Sequence, residues 1–176
     1  LLVPPEMMGC HIGAPTAHTT NKTSSLTFRA ITAMFGHLGI EWNLLQATPT
    51  EREELRAVVA LHKELRPVLH TGHVIFTTML SDSDGEYLAH GVVSPDLGRA
   101  VVAVSRLLDQ SVGAPPKLHI AGLDHRRLYT VTCVLGQPDS GDYVISHHSG
   151  YDLEHNGLEI LPMHPESAVL LTLESS

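Results

Sequence analysis

The sequence predicts two architectures in tandem, an α/β unit followed by an all-β unit. Three observations predict this division. Two short apolar segments flank a helical segment near the start of the chain, a long amphipathic helix follows, and beyond Gly72 the apolar spacing changes to two. We therefore expect a boundary at the end of the long helix, with residues 1–72 in the first unit and residues 73–176 in the second.

The first unit reads as strand, helix, strand. Residues 6–12 are apolar and follow two prolines, which cannot donate hydrogen bonds to a neighbouring strand. Ser24 or Ser25 is a suitable N-cap for the next helix, and residues 37–44 form a second short apolar segment. This order predicts a parallel strand pair joined by a crossover helix.

The long helix carries three start signals. Thr48 can be its N-cap, Pro49 fits the first helical position, and Glu51 completes a capping box. Its apolar face is predicted to contain residues at helical spacing: Leu55, Val58, Val59, His62, Leu65 and Leu69. We expect Pro67 to kink or end the helix about one turn before Gly72.

Seven segments of the second unit have strand character. They are separated by turns rich in glycine, proline and aspartate, a pattern typical of an antiparallel β-sandwich. The segments are residues 74–80, 87–93, 99–107, 117–120, 128–135, 143–147 and 168–173.

Composition excludes several classes of function. Of the 176 residues, 43% are hydrophobic and 17% charged, enough to build a core, and the net charge is -8. This charge disfavours nucleic acid and anionic lipid as partners, and no apolar run approaches the roughly 20 residues of a membrane helix. Cys10 and Cys133 are expected to be reduced thiols, which favours a cytoplasmic location. The chain opens in an apolar run without methionine, so we expect it to be cut from a longer protein.

Several segments together resemble a known family. They are PPEMMGCHIGAPTAHTTNKTSSLTFRAITAMFGHLGIEWNLL, then ELRPVLHTG, GVVSPDLGRAVVAV, LHIAGLDHRRLYTV and SGYDLEHNGLEILPMHPESAVLLTLE. The first is the most specific. They resemble the C-terminal third of glycoside hydrolase family 36, the bacterial α-galactosidases.

The resemblance implies the last strands and helices of a (β/α)₈ barrel, with strands seven and eight in residues 1–72, followed by a C-terminal β-sandwich. It also implies a retaining α-galactosidase that releases terminal α-linked galactose from oligosaccharides with two aspartates and no cofactor. Both aspartates would lie upstream of Leu1, so no catalytic residue is assigned here and the fragment alone is expected to be inactive. A homo-oligomer of the full-length enzyme is a further expectation.

Candidate substrate contacts follow from the rule that barrel active sites form at the carboxyl ends of strands. If Met8, Gly9 and His11 end one such strand, Gly9 gives room, Met8 an apolar wall and His11 a hydrogen bond. Trp42, the only tryptophan, could stack on a sugar or pack under a helix. His18 is a second histidine that could bind substrate.

Other interpretations remain open. A non-catalytic carbohydrate-binding or assembly β-sandwich is one alternative, and α-N-acetylgalactosaminidase activity is another. Thirteen histidines invite a metal hypothesis, but no HExxH motif is present, and we predict no metal site. Glu41 would need a partner if it were buried, and Arg29 is a candidate.

Overall fold

The computed structural model of the chain describes residues 7–79, 86–108, 116–136 and 146–176. Three of the turns expected between the strand segments of the second unit fall at residues 81–85, 114–116 and 138–141, and all of them except residue 116 lie outside this part. In chain order the elements are β1 (Gly9–Gly13), α1 (Leu26–Ala33), β2 (His37–Glu41), α2 (Pro49–Thr71), β3 (His73–Phe76), β4 (Thr78–Met79), β5 (Tyr87–Val93), β6 (Arg99–Arg106), β7 (Leu118–His119), β8 (Leu128–Leu135), β9 (Ser146–Ser149), α3 (Gly150–His155) and β10 (Ser167–Ser175).

The predicted strand–helix–strand unit is confirmed. β1 and β2 pair in parallel, from Gly9 opposite His37 to Gly13 opposite Glu41. Between them, α1 begins at its N-cap Ser25, whose hydroxyl oxygen accepts a hydrogen bond from the backbone N–H of Phe28 at 3.1 Å. The helix buries the apolar side chains of Leu26, Ala30, Ile31 and Ala33.

The start of α2 and its end at Gly72 are as predicted, but the effect expected of Pro67 is only partly so. The Thr48 hydroxyl accepts from the backbone N–H of Glu51 at 3.2 Å, and the Glu51 carboxylate accepts from the backbone N–H of Thr48 at 2.8 Å. Of the two effects expected of Pro67, a kink or an end of the helix, the end is wrong, because α2 continues to Thr71. The last turn is held by the burial of Val68 and Leu69, which outweighs the one backbone hydrogen bond that proline removes.

The second unit is built on one six-stranded antiparallel sheet with the order β3-β5-β6-β10-β8-β9. In the described residues a second sheet has only β4 and β7. In the described residues, α3 and residues 158–163 pack on the same side of the large sheet as β7 and contribute further buried side chains to that core. The helix α3 was not predicted.

Both faces of the central strands are buried. On β6 and β10 alternate residues enter two different cores, as the two-residue period of a strand requires. Val102, Val104 and Leu171 belong to the core under α3, whereas Val101 and Leu170 belong to the core under α1 and α2. These five side chains are all no more than 1% exposed.

The core under the helices crosses the expected boundary at residue 72. It combines Ile12 of β1, Ile31 of α1 and Leu65 of α2 with Val101 and Leu170 of the sheet. Helices from the first unit therefore pack directly on the sheet of the second. The two units share a core, although their secondary structures differ.

Gly72 is the one residue between α2 and β3. Its φ of -80° is ordinary, so glycine is required here for space and not for backbone conformation. A β-carbon at this position would lie 2.4 Å from Val92 Cγ1 and 2.6 Å from the carbonyl oxygen of Val93. The helix therefore meets the sheet at a corner with no room for a side chain.

Leu65→Ala should destabilise the chain by about 2–5 kcal/mol, because it leaves a cavity where α2 meets the sheet. Leu65 is 1% exposed, whereas Leu45 is 91% exposed and supplies the matched control. Urea unfolding followed by circular dichroism measures both. Equal free energies of unfolding for the two variants would contradict the packing of α2 on the sheet.

His90 on β5 should make the fold sensitive to acid. Its ring centroid lies 4.4 Å from that of Phe35, and burial lowers the pKa of its imidazole. In the unfolded chain the imidazole has a pKa of about 6.5, so between the two pKa values it is protonated when the chain is unfolded and neutral when the chain is folded. The contribution of His90 to the free energy of unfolding is therefore complete above about pH 6.5, and it decreases as the pH falls towards the folded-state pKa.

His90→Gln should flatten the decrease in unfolding free energy below about pH 6.5 relative to the parent chain. Urea unfolding over a pH series gives both slopes. A slope that is the same in His90→Gln and the parent chain would refute the assignment.

Candidate functional site

The boundaries of β1 correct the premise of the candidate contacts. The strand begins at Gly9, so Met8 and Gly9 lie at its amino end and not at the carboxyl end, where barrel active sites form. Met8 is 41% exposed and precedes the first paired residue. The strand starts late because pairing with β2 begins opposite His37. Trp42, in contrast, directly follows the carboxyl end of β2.

The parallel pair has one apolar and one polar face. Alternation along the strands places Cys10, Ile12 and Leu38 on the face towards α1 and α2, where all three contribute to the core. The opposite face has Gly9, His11 and Gly13 on β1 and their partners His37, Gly39 and Glu41 on β2. Four of these six residues are exposed, and Gly13 and Gly39 are partly buried.

His11 occupies the centre of this polar face. It pairs with Gly39, and a β-carbon on Gly39 would lie 2.5 Å from His11 Cδ2. The imidazole therefore lies over the backbone of β2, in space that a side chain on residue 39 would fill. His11 remains exposed, so both its ring and its neighbouring glycines can be reached from solvent.

Trp42 is engaged by a cation. The guanidinium carbon of Arg29 lies 5.3 Å from the centroid of the Trp42 ring, and Trp42 packs at the edge of the core under the helices. Arg29 also donates from Nε to the carbonyl oxygen of Ser24 at 3.2 Å and from Nη1 to that of Gly13. Burial lowers the pKa of the Arg29 guanidinium, and nearby Glu51 opposes this effect.

Glu41 needs no internal partner, since it is exposed. The proposed pairing with Arg29 is not present, because the guanidinium donates to two backbone carbonyls instead. Arg29 thus ties the end of β1 and the start of α1 to the residue that follows β2. This structural role favours packing over sugar stacking for Trp42.

The loop between β1 and α1 is held from two sides. A hydrogen bond of 3.0 Å connects the hydroxyl oxygens of Thr16 and Thr23, and Lys22 forms an ion pair with Glu166 at 3.0 Å. His18, at the tip of this loop, is exposed. The ion pair is also exposed and contributes little free energy, but it places the loop beside the start of β10.

A cleft beside β8 and β9 was missed by the sequence analysis. It measures about 500 Å³, and its polar lining includes Lys117, His148, Asp152, Asn156 and Glu159. Hydrogen bonds from Ser149 first, and then from Asn156, hold the pKa of the Asp152 carboxyl below its usual value. The available signal was Ser149 three residues before Asp152, which is the capping pattern of α3.

No group of three or more histidine, cysteine or acidic residues is placed to hold a metal ion within the described ranges. None of the helices in this part of the chain combines the length and apolar character needed to cross a membrane.

Arg29→Lys should shift the fluorescence of Trp42, which is the only tryptophan and so reports on this contact alone. A lysine cannot keep both carbonyl hydrogen bonds and the ring contact, so we also expect a loss of about 1–3 kcal/mol of stability. Arg52→Lys on the exposed surface of α2 is the control. Identical emission spectra and unfolding curves for both variants would contradict the stabilising contacts of Arg29 with Trp42 and with the two carbonyl oxygens.

Two family models match the chain. The Melibiase model matches residues 1–72, and the glycosyl hydrolase family 36 C-terminal domain model matches residues 87–173. The α-galactosidase of Escherichia coli is 33% identical over 97% of this chain and 26% of its own length. The α-galactosidase AgaA of Geobacillus stearothermophilus is 31% identical over 74% of this chain and 18% of its own length.

Solved structures agree in fold. The galactosidase domain of AgaSK matches with a TM-score of 0.81 and 27% identity, over 98% of this chain and 22% of that structure. An AgaA variant of Geobacillus stearothermophilus in complex with raffinose gives a TM-score of 0.82 and 26% identity, over 98% of this chain and 22% of that structure. The chain spans about a quarter or less of each relative. On these matches along nearly its whole length, the chain belongs to glycoside hydrolase family 36.

Proposed function

We propose that the chain forms part of a retaining α-galactosidase, which hydrolyses terminal α-linked galactose from oligosaccharides. The observation that carries this proposal is the parallel β1–β2 pair with its uncovered polar face, in a chain whose relatives are α-galactosidases. Structures of AgaA from Geobacillus stearothermophilus in complex with raffinose and stachyose support the substrate class.

In this proposal β1 and β2 are the last two strands of a (β/α)₈ barrel, and the six-stranded sheet is the main layer of the C-terminal β-sandwich. Within the described residues β1 and β2 have no other strand beside them, so both outer edges are free to pair. A barrel uses such edges by closing on itself. The polar face with His11 and Gly39 would then line the interior, and the apolar face already meets the helices.

The chemistry in this proposal needs two closely spaced carboxylates, one as nucleophile and one as acid and base. β1 and β2 carry a single carboxylate, Glu41. We therefore assign both catalytic aspartates to residues outside this sequence. The contribution of this chain is to close the sugar pocket and to support it from behind with a shared core.

Among the candidate contacts, His11 is the best placed to donate to a sugar hydroxyl, because its exposed ring lies on the polar face. Gly9 lies on the same face as His11 but at the amino end of β1, so we rank it below His11. Met8 lies at the amino end of the strand and Trp42 lies under Arg29, so we rank both below His11. A cytoplasmic location and a homo-oligomer remain parts of the same proposal.

A domain exchange tests the function. Replacing the matching region of the Escherichia coli α-galactosidase with this chain should restore hydrolysis of an aryl α-galactoside, whereas deleting that region should abolish it. In the chimera His11→Ala should reduce kcat/KM by about tenfold or more, the loss of one hydrogen bond to substrate. His164→Ala, which changes an exposed histidine shortly before β10, is the matched control.

A folded chimera, verified by circular dichroism, that lacks activity would contradict the proposed function. Turnover by the isolated chain that depends on one of its own carboxylates would contradict the assignment of the aspartates. Activity on the α-N-acetylgalactosaminide that exceeds activity on the galactoside would instead support the neighbouring specificity.

A second candidate function is a carbohydrate-binding module, which the polar cleft of about 500 Å³ beside β8 and β9 favours. Titration of galactose against the isolated chain distinguishes the two. Saturable binding that Asp152→Asn weakens would support the module, whereas absence of binding leaves the cleft without this role.

A further inference from the structure

The polar face of β1 and β2 carries one carboxylate, that of Glu41, at the end of β2. Glu41 is opposite Gly13 in the parallel register, so both residues lie at the carboxyl ends of their strands. This is the end at which the proposed barrel would bind its sugar. His11 lies on the same face, two residues before Gly13. Glu41 therefore shares both the face and the end of the strands with the proposed pocket.

The space beside Glu41 is open. A β-carbon on Gly13 would meet no atom of the described residues within 4 Å. On the same face, a β-carbon on Gly39 would lie 2.5 Å from His11 Cδ2. The imidazole thus fills the face at the level of Gly39, and the face is empty at the level of Glu41. A ligand in this space would lie between the two side chains.

The Glu41 carboxylate is not used inside the chain. Glu41 is exposed, and its side chain forms no ion pair or hydrogen bond in the ranges that the structure describes. Burial lowers the pKa of the Arg29 guanidinium, and the carboxylate that opposes this effect is Glu51 and not Glu41. Closure of a barrel would enclose the polar face, where a carboxylate without a donor is unfavourable. Glu41 then needs a donor, which a bound sugar can supply.

The position of Glu41 is fixed by its neighbours on both strands. Trp42 directly follows it, and the Arg29 guanidinium carbon lies 5.3 Å from the Trp42 ring centroid. The same guanidinium donates to the carbonyl oxygen of Gly13, which is opposite Glu41. One side chain therefore holds the backbone on both sides of the carboxylate. A group held in this way loses little entropy when it binds a ligand.

We propose that Glu41 is a sugar-binding residue of the proposed hydrolase, in which its carboxylate accepts hydrogen bonds from hydroxyl groups of the terminal galactose. The inference rests on the proposed function and adds a residue to its site. A carboxylate has two acceptor oxygens, and His11 supplies a donor on the same face, so together they match hydroxyl groups, which both donate and accept. Glu41 replaces neither catalytic aspartate, because it binds and orients the sugar on which they act.

The chimera of the Escherichia coli α-galactosidase that carries this chain tests the role. Glu41→Gln keeps the shape and removes the charge, so kcat/KM for an aryl α-galactoside should fall about ten- to a hundredfold. The Kd for galactose, measured by calorimetry, should rise about tenfold or more. Glu64→Gln, on the exposed surface of α2, removes the same charge and should leave both values unchanged. Thermal unfolding verifies that both variants are folded.

Substrates that lack a single hydroxyl separate sugar binding from structural support. In the parent chimera, removal of the hydroxyl that Glu41 binds should lower kcat/KM, and Glu41→Gln should then cause little further loss. On the other deoxygalactosides the variant should keep its full defect of about tenfold or more. A purely structural role would give the same defect on every substrate.

Three results would overturn the proposal. The first is equal kcat/KM and equal galactose Kd in Glu41→Gln and the parent chimera. The second is an equal defect on every deoxygalactoside, which would assign Glu41 to an internal contact. The third is a defect on raffinose without a defect on the aryl α-galactoside, which would place Glu41 at the leaving sugar.

The two proposals can fail separately. A parent chimera that binds galactose without hydrolysing the galactoside would contradict the proposed function alone, because the Kd of Glu41→Gln still decides the role of Glu41. An active chimera that Glu41→Gln leaves unchanged would contradict the role of Glu41 alone. A folded chimera that neither binds galactose nor hydrolyses the galactoside would contradict both.

Discussion

The burial of β6 and β10 on both faces is the constraint on which the rest of the structure depends. A strand exposed on one side alternates apolar and polar residues, whereas these two central strands are apolar almost throughout. Two layers must then cover them. α1 and α2 supply one layer, and α3 with the segments around β7 supplies the other. The fold of the first unit is thus a requirement of the second, since a bare sheet face would expose Val101 and Leu170 to water.

The sequence was informative where a local rule decided the structure. The capping box at Thr48, the N-cap at Ser25 and the change of period after Gly72 all depend on neighbours in the chain. It was less informative where distant contacts decided. α2 passes through Pro67 because the sheet holds the turn beyond it, and no local pattern contains that contact. The short helix α3 was missed because its six residues are too few to show a period.

The candidate site divides in the same way. The polar face of β1 and β2 follows from two-residue alternation, which the sequence contains. The placement of His11 over Gly39 depends on the register of the pair, which the sequence does not fix. The contact between Arg29 and Trp42 joins the end of one strand to the end of another through a helix. Such a contact needs the packed structure, and for Trp42 it favours packing over sugar stacking.

The single-residue connection at Gly72 has a mechanical consequence. A flexible linker lets two parts of a protein move independently, but this connection is too short to absorb a rotation and too crowded to accept one. Any displacement of α2 must be transmitted to β3 and, through its hydrogen bonds, across the whole sheet. The sheet therefore stiffens α2 and, through the core that they share, the strands β1 and β2.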